Sequence, residues 1–383
     1  MKLSQVLPLL AAFAVLNTQP VLHAQFLQNN PNYYLDQAQA GDAEAQFQMG
    51  LQLVRPEDAS PQELKQGFNW IRKAADQKHL RAMYTLGYLY GRGIGTESSD
   101  AKAVEWLEKA ASENMPEAKL DLAVMLDQGK GAERNPERVI KLLQDAAKQS
   151  FPGQSNAQLF YGQLLSAGRG TKKNSAKAAI WYLKSAQQGN SGAQRRLAYL
   201  YASGDGVPLD FARCTAWYRR ATQSQGADPW AKNDLAWLLA TCPEEKYHDG
   251  RQAVTLAKEA IQEVNMSGEE QKAAMVDTMA AALARNGQFS EAIVWQKRCI
   301  SLLAQEKEMP DVERTKLEAE FNSRLALYKQ KQPYADPLPK PAEEPAEPLY
   351  NDDVLDESKQ GNTMPPVRQA PAKPAPPAQQ KSI

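Results

Sequence analysis

Three residues of one short loop are the types a nucleophilic catalyst needs. In "TCPEEKYHDG", Cys242, His248 and Asp249 supply on paper a nucleophile, a base and an orienting carboxylate. The setting argues against that use: no glycine nest or other oxyanion donor accompanies them, and Asp249-Gly250 reads as the start of a helix. No residue is therefore assigned a catalytic role, and Cys242→Ser is expected to leave any activity intact. A second candidate is "GRGIG" at 91–95, with the glycine density of a phosphate-cradling turn. Phosphate loops follow a strand and usually occur once per domain. This one follows a helix-like run and returns as Gly129-Lys130-Gly131, Gly168-Arg169-Gly170 and Gly204-Asp205-Gly206. It reads as a turn in which glycine, free to take the left-handed conformation, ends a helix. Only His79 and His248 lie beyond the N-terminal leader, and they fall in different repeats, so neither a metal site nor a cofactor is expected.

The recurrence of that loop exposes the elements that position everything else. Units begin at Ala43, Ala82, Ala118, Ala157 and Ala193, and more weakly at Ala231, in steps of 39, 36, 39, 36 and 38 residues. The first segment of a unit carries a small residue followed by an apolar-small pair: Ala82 with Leu86-Gly87, Ala118 with Leu122-Ala123, Ala193 with Leu197-Ala198. That is helical spacing of small groups on one face, which lets a second helix approach closely. The second segment pairs a small or short residue with a large one three further on: Gly67 with Trp70, Ala103 with Trp106, Val139 with Leu142, Ala178 with Trp181, Cys214 with Trp217. Adjacent alanines follow, and the large rings read as core contacts against them.

The run A-x3-LG-x2-Y-x2-G-x-G, followed by small-x2-W-x3-A-A, resembles the Sel-one-like repeat (SLR), a relative of the tetratricopeptide repeat. The match is close across residues 82 to 222. The unit at 43–81 replaces the glycine turn with "LVRPEDASPQE", as suits a capping repeat, and the unit from Ala118 lacks the tryptophan. "AKNDLAWLLATCPEEKYHDGRQAVTLAKEAIQ" and "VDTMAAALARNGQFSEAIVWQKRCISLL" look like two ordinary tetratricopeptide units. In the second, Ala280, Gly287, Ala292 and Cys299 fall where that family keeps small residues, and "FNSRLALYKQKQPY" resembles the helix that solvates the end of such arrays. The resemblance implies an all-α solenoid, with antiparallel helix pairs stacked into a right-handed superhelix that has a concave groove. The expected organisation is a leader at 1–24, Sel-one-like units over 36–222 (near 43–81, 82–117, 118–156, 157–192 and 193–230), tetratricopeptide-like units with a capping helix over 231–334, and a tail at 335–383.

Grooves of these arrays are lined by exposed positions of each first helix. Counting three before and one after the small residue of the apolar-small pair gives Tyr84 and Tyr88, Arg195 and Tyr199, Asn233 and Trp237 as candidate partner-binding residues. Aromatic and arginine side chains carry much interface energy, and asparagine can hold an extended peptide's backbone. The same rings could instead pack against the neighbouring repeat.

Composition bounds the partners. Across 383 residues, 45 basic side chains balance 45 acidic ones, so nothing points to nucleic acid. Met1-Lys2 followed by "VLPLLAAFAVL" and then "VLHA" reads as a secretory leader cleaved after Ala24, too short to span a bilayer, and no later segment reads as a span. The expected place is the periplasm, with secretion as the variant, and the expected partners are proteins of the cell envelope. The resemblance implies a non-enzymatic scaffold or adaptor. It leaves open a cell-wall glycan or penicillin-type-compound binding or hydrolysing protein on the same fold, and a host-facing secreted factor. Cys214, Cys242 and Cys299 form an odd set; a Cys214 to Cys242 bridge stays open. In the final 51 residues lie 12 of the 24 prolines, a composition that cannot bury enough apolar surface to fold, so the tail is expected to be disordered. Its acidic block holds "EPLYNDDVLDE", either a short docking motif or part of a solubilising spacer.

Overall fold

The computed structural model describes residues 33–224, 228–267, 272–306, 309–339 and 349. The leader at 1–24 and most of the tail, 340–348 and 350–383, lie outside them. A short α1 (Tyr33–Gln39) precedes seven helix pairs and a final helix. The pairs are α2 (Ala43–Val54) with α3 (Pro61–Asp76), α4 (Leu80–Arg92) with α5 (Asp100–Ser112), α6 (Pro116–Gln128) with α7 (Pro136–Ala147), and α8 (Gln154–Ala167) with α9 (Ser175–Gln187). They continue as α10 (Ser191–Ser203) with α11 (Phe211–Gln223), α12 (Pro229–Thr241) with α13 (Gly250–Ser267), and α14 (Ala273–Arg285) with α15 (Phe289–Leu303). The last helix, α16 (Asp311–Lys329), packs on α15. It starts ten residues before the stretch that resembles a capping helix, because Pro310 and the acidic first turn of Asp311 and Glu313 begin it there. Each helix contacts its pair partner and the next pair, so the chain is a stack of repeats.

Polar caps punctuate this stack in register. Ser99, Asn135, Asn174 and Asp210 each accept, through the side chain, the backbone N–H three residues on, and so start α5, α7, α9 and α11. Ser60 and Glu63 form a reciprocal capping box at α3. Between the paired helices the small residue of the apolar-small pair does what its spacing predicts. A side chain at Gly87 would press on Leu107 and the Ala103 carbonyl of α5, and one at Gly162 would meet the Tyr182 ring of α9.

The two glycines of each Gly-x-Gly loop have different jobs. The first, Gly93, Gly129, Gly168 or Gly204, sits in the left-handed region at φ of 66 to 69° and ends the first helix. The second touches the previous unit. A methyl group on Gly131 would overlap the Asp100 carbonyl at the start of α5; on Gly95 it would overlap Leu64 of α3, and on Gly170 Pro136 of α7. The loop is thus a turn and also a docking point between units, and the second function is invisible within a single repeat.

The tryptophans depart from expectation. Trp217 is fully buried, whereas Trp70, Trp106 and Trp181 are only half-buried. Each of those three is lidded by a lysine one turn on, with the ammonium 4.2, 3.8 and 4.4 Å from the ring centre for Lys73, Lys109 and Lys184. A ring too large to vanish between alanines keeps its outer face for a cation.

Candidate partner-binding face

The first helices, α2 to α16 by even number, share one face of the stack, and the structure sorts the six candidate residues by their place on it. The position three before the small residue is a stacking position. Tyr84 is fully buried, and its hydroxyl donates to Asp121 on α6 at 2.8 Å. Arg195, whose side chain is 15% exposed, donates to Asp234 on α12 at 3.1 Å and lies 3.6 Å from Asp228. Asn233 is buried too, with Nδ2 donating to Asp234 Oδ1 at 3.4 Å. None of the three lines an open groove as expected: Tyr84 and Arg195 are turned to an acid of the next first helix, and Asn233 is buried beside Asp234 of its own helix.

The partner in each rung occupies a constant place, two before the next unit's small residue: Asp121 before Ala123, Asp234 before Ala236. A third rung follows the rule with its charges reversed. Asp277, three before Ala280, accepts from Arg324, two before Ala326, at 2.8 Å, and both side chains are over 90% buried. Burial lifts the Asp121 carboxyl to about 7, opposed by the Tyr84 hydroxyl and helped by Glu117. Burial likewise lifts Asp277 to about 6 against the pull of Arg324 and Gln296, and raises Asp234 against Arg195.

The position one after the small residue is the accessible one. Tyr199 is 58% exposed, and Tyr88 is half-buried with Arg92 5.9 Å from its ring centre. Trp237 is half-buried for a different reason: the chain beyond α16 returns over it. Asp336 Oδ2 accepts from Trp237 Nε1 at 2.7 Å and lies 2.7 Å from Thr241 Oγ1, while the Asp336 N–H donates to the Thr241 carbonyl at 2.7 Å. Arg285, anchored by Nε on the Ala240 carbonyl, donates from Nη2 to the Tyr334 carbonyl at 2.7 Å. Arg324 lies 4.7 Å from the Tyr334 ring centre and 5.1 Å from that of Trp237. The start of the tail, expected from composition to be disordered, is therefore held against the array at Asp336, beside Tyr334. Two partly buried side chains at Tyr334 and Asp336 suffice, although the segment around them is exposed. Sequence reasoning missed Thr241, Arg285, Arg324, Tyr334 and Asp336; the available signal was an aromatic and an acid two apart just where the helical pattern ends.

The Cys242, His248 and Asp249 set does not assemble. His248 Nε2 lies 2.6 Å from the Cys242 backbone oxygen, and Asp249 Oδ1 accepts from Gln252 N at 2.9 Å at the start of α13. Cys242 is buried, and burial raises its thiol, the opposite of what a thiolate nucleophile needs. Cys214, Cys242 and Cys299 are all free and buried, so the Cys214 to Cys242 bridge is not formed. His79 caps α4 and contacts Glu44 at 2.8 Å. Among the described residues, no group of histidine, cysteine and acidic side chains is placed to hold a metal.

The Sel1 repeat family matches residues 43–79, 80–115, 116–151, 155–190 and 191–225. Among solved structures, the chain is similar to a protective antigen of uropathogenic Escherichia coli strains that displays an SLR fold, at 23% identity and a TM-score of 0.56, over 78% of this chain and 71% of that one. It is also similar to a Sel1 repeat protein from Oxalobacter formigenes, at 23% identity and a TM-score of 0.55, over 64% of this chain and 100% of that one. At such identities the likeness is one of fold. A comparison with curated proteins finds no match. Sel1 repeat proteins generally mediate protein–protein interactions, and their fold is typically a non-enzymatic scaffold. Five matched units in register, each a helix pair of the observed stack, make residues 43–225 an array of Sel1 repeats, a relative of the tetratricopeptide repeat.

Proposed function

We propose that the chain is a non-enzymatic scaffold or adaptor of the bacterial cell envelope that holds protein partners on its first-helix face. The observation that carries this reading is the accessible row of that face, where the Tyr199 ring is 58% exposed and Tyr88 half-buried on helices whose other sides are packed. Large rings on a rigid support give contact area at little entropic cost, the usual basis of interface energy. The rungs between first helices and the glycine docking points supply that rigidity. Export is part of the proposal and rests on the leader-like residues 1–24. Among the described residues no helix is long and apolar enough to cross a membrane.

The test is photo-cross-linking in intact cells through probes placed at Tyr88 and Tyr199, with adducts identified by mass spectrometry. One abundant envelope protein is the expected adduct. Wall fragments, or no protein adduct at all, would overturn the reading.

A further inference from the structure

The segment that returns over α12, α14 and α16 is bound as a peptide is bound. From Pro333 to Pro337 its side chains alternate: Tyr334 and Asp336 are partly buried, while Pro333, Ala335 and Pro337 are exposed, and the alternation ends at Leu338, which is 65% exposed. Alternation of this kind belongs to an extended chain laid along a surface. Two main-chain groups are also read, the Asp336 N–H by the Thr241 carbonyl and the Tyr334 carbonyl by Arg285. The receiving groups are built into the array. Thr241 is fully buried, Arg324 is fixed from behind by Asp277, and Arg285 is fixed by the Ala240 carbonyl. The contacts join residues 99, 95 and 49 apart in sequence, so the segment is a ligand supplied in cis rather than a local turn. The same spacing of tyrosine and aspartate occurs within the array, at Tyr34-Leu35-Asp36 and Tyr247-His248-Asp249, and in the tail a second copy stands 16 residues on, at Tyr350-Asn351-Asp352, inside the acidic block. That second copy lies outside the described residues, but Leu349 beside it packs on the main core.

We propose that Trp237, Thr241, Arg285 and Arg324 form a peptide-binding site that reads a tyrosine and, two residues later, an aspartate in an extended segment of a partner protein, and that Tyr334–Asp336 occupies it as a displaceable internal ligand. The aspartate is recognised by the indole and hydroxyl donors, and the tyrosine by the guanidinium of Arg324 against its ring. Backbone contacts supply affinity without regard to the intervening residue. A tethered segment competes at an effective concentration on the order of millimolar, so a partner segment binds weakly until the internal one is released. This inference rests on the proposal that the first-helix face binds proteins, but not on where the chain works.

The test uses purified full-length chain and a fluorescent peptide of the sequence of residues 331–339. Wild-type chain is expected to bind it weakly, and the Tyr334→Ala, Asp336→Ala double variant at least about tenfold more tightly, because the internal competitor is gone. Adding Trp237→Phe, which keeps a ring but removes the N–H, is expected to reverse that gain, as is replacing the peptide's aspartate with asparagine. No saturable binding to the folded double variant would overturn the proposal, as would binding indifferent to Trp237→Phe. Should the double variant not fold, amide exchange at Asp336 in wild-type chain decides. Faster exchange with excess peptide supports displacement, and unchanged exchange shows a permanent brace. A wild-type dimer dissolved by the peptide would mean that the ligand is a second copy of this chain, which overturns the assignment to another protein. Because these measurements need no cell, their failure is separable from a failure of cross-linking at Tyr88 and Tyr199.

Discussion

The unit of α10 and α11 and the unit of α12 and α13 are built alike, yet one residue in the same place behaves differently in each. Tyr199 and Trp237 both follow the small residue of the first helix. Tyr199 stands in solvent, while Trp237 lies under Asp336 with its N–H bonded. Both first helices start at a polar cap, Asn190 and Asp228, although α10 ends at left-handed Gly204 and α12 at Cys242; the bond on Trp237 comes from outside either pair. What covers Trp237 is the chain beyond the array: among the described residues, Asp336 and Tyr334 bond to α12 and α14. Position within a repeat decides what a side chain can touch; residues outside the repeat decide whether it is touched.

The comparison breaks most sharply at the loops. Gly131→Ala in the central array places a methyl group on the Asp100 carbonyl at a left-handed residue and is expected to cost about 3 kcal/mol or more in urea unfolding. Gly287→Ala in the last pair has the same backbone strain, with φ at +79°, but open space around it, and is expected to cost only about 1 kcal/mol. Next comes Arg324→Leu, which leaves Asp277 buried without its cation and should destabilise α14 to α16 by about 3 kcal/mol. In a repeat array that loss is local, and amide exchange should rise in α14–α16 while α4–α11 stay protected.

A smaller effect is read through pH. Asp121 keeps its proton to about 7 when folded, whereas an unfolded carboxyl loses it near 4. Between those values the folded chain binds more protons, so this group's contribution to stability declines as pH rises through the window. Asp121→Asn is neutral throughout and still accepts from Tyr84. It should flatten that decline, leaving the variant more stable than wild type at pH 8 by roughly 2–4 kcal/mol, measured by urea titration across pH. The smallest effect on stability belongs to Tyr88→Ala with Tyr199→Ala, within about 1 kcal/mol, while partner binding falls at least about tenfold in a pull-down titration. Unchanged binding would return these rings to ordinary surface.

Much of this fold was legible because its signals are local. Caps such as Asn135 and Asn174, the helix-ending Gly93 and Gly129, and the paired alanines of the second helices declare themselves within a single unit. The second glycine of each loop could be seen but not understood, since its reason is a carbonyl one unit earlier. Tyr84 shows the limit most plainly. Its spacing counts it among the exposed residues of the groove, but exposure depended on Asp121, 37 residues away, which comes close enough to cover it. The site around Trp237 was half legible: the indole could be named from its register, whereas its ligand lay in a proline-rich stretch whose composition argues against any fixed contact. Composition describes a segment's average, and two side chains are enough to depart from it.

The return of residues 334–336 over α12 and α14 also has a mechanical meaning. If the tail is tethered to something that moves, a pull on it reaches the bonds of Asp336 and Tyr334 before it can peel α16 from the stack. Those few hydrogen bonds and ring contacts act as a sacrificial link, releasing the short stretch between Lys329 and Asp336 while the repeats stay folded. A single-molecule force trace drawn from the C-terminal end should therefore show one small extension ahead of any helix loss. Its absence would mean that load passes straight to α16.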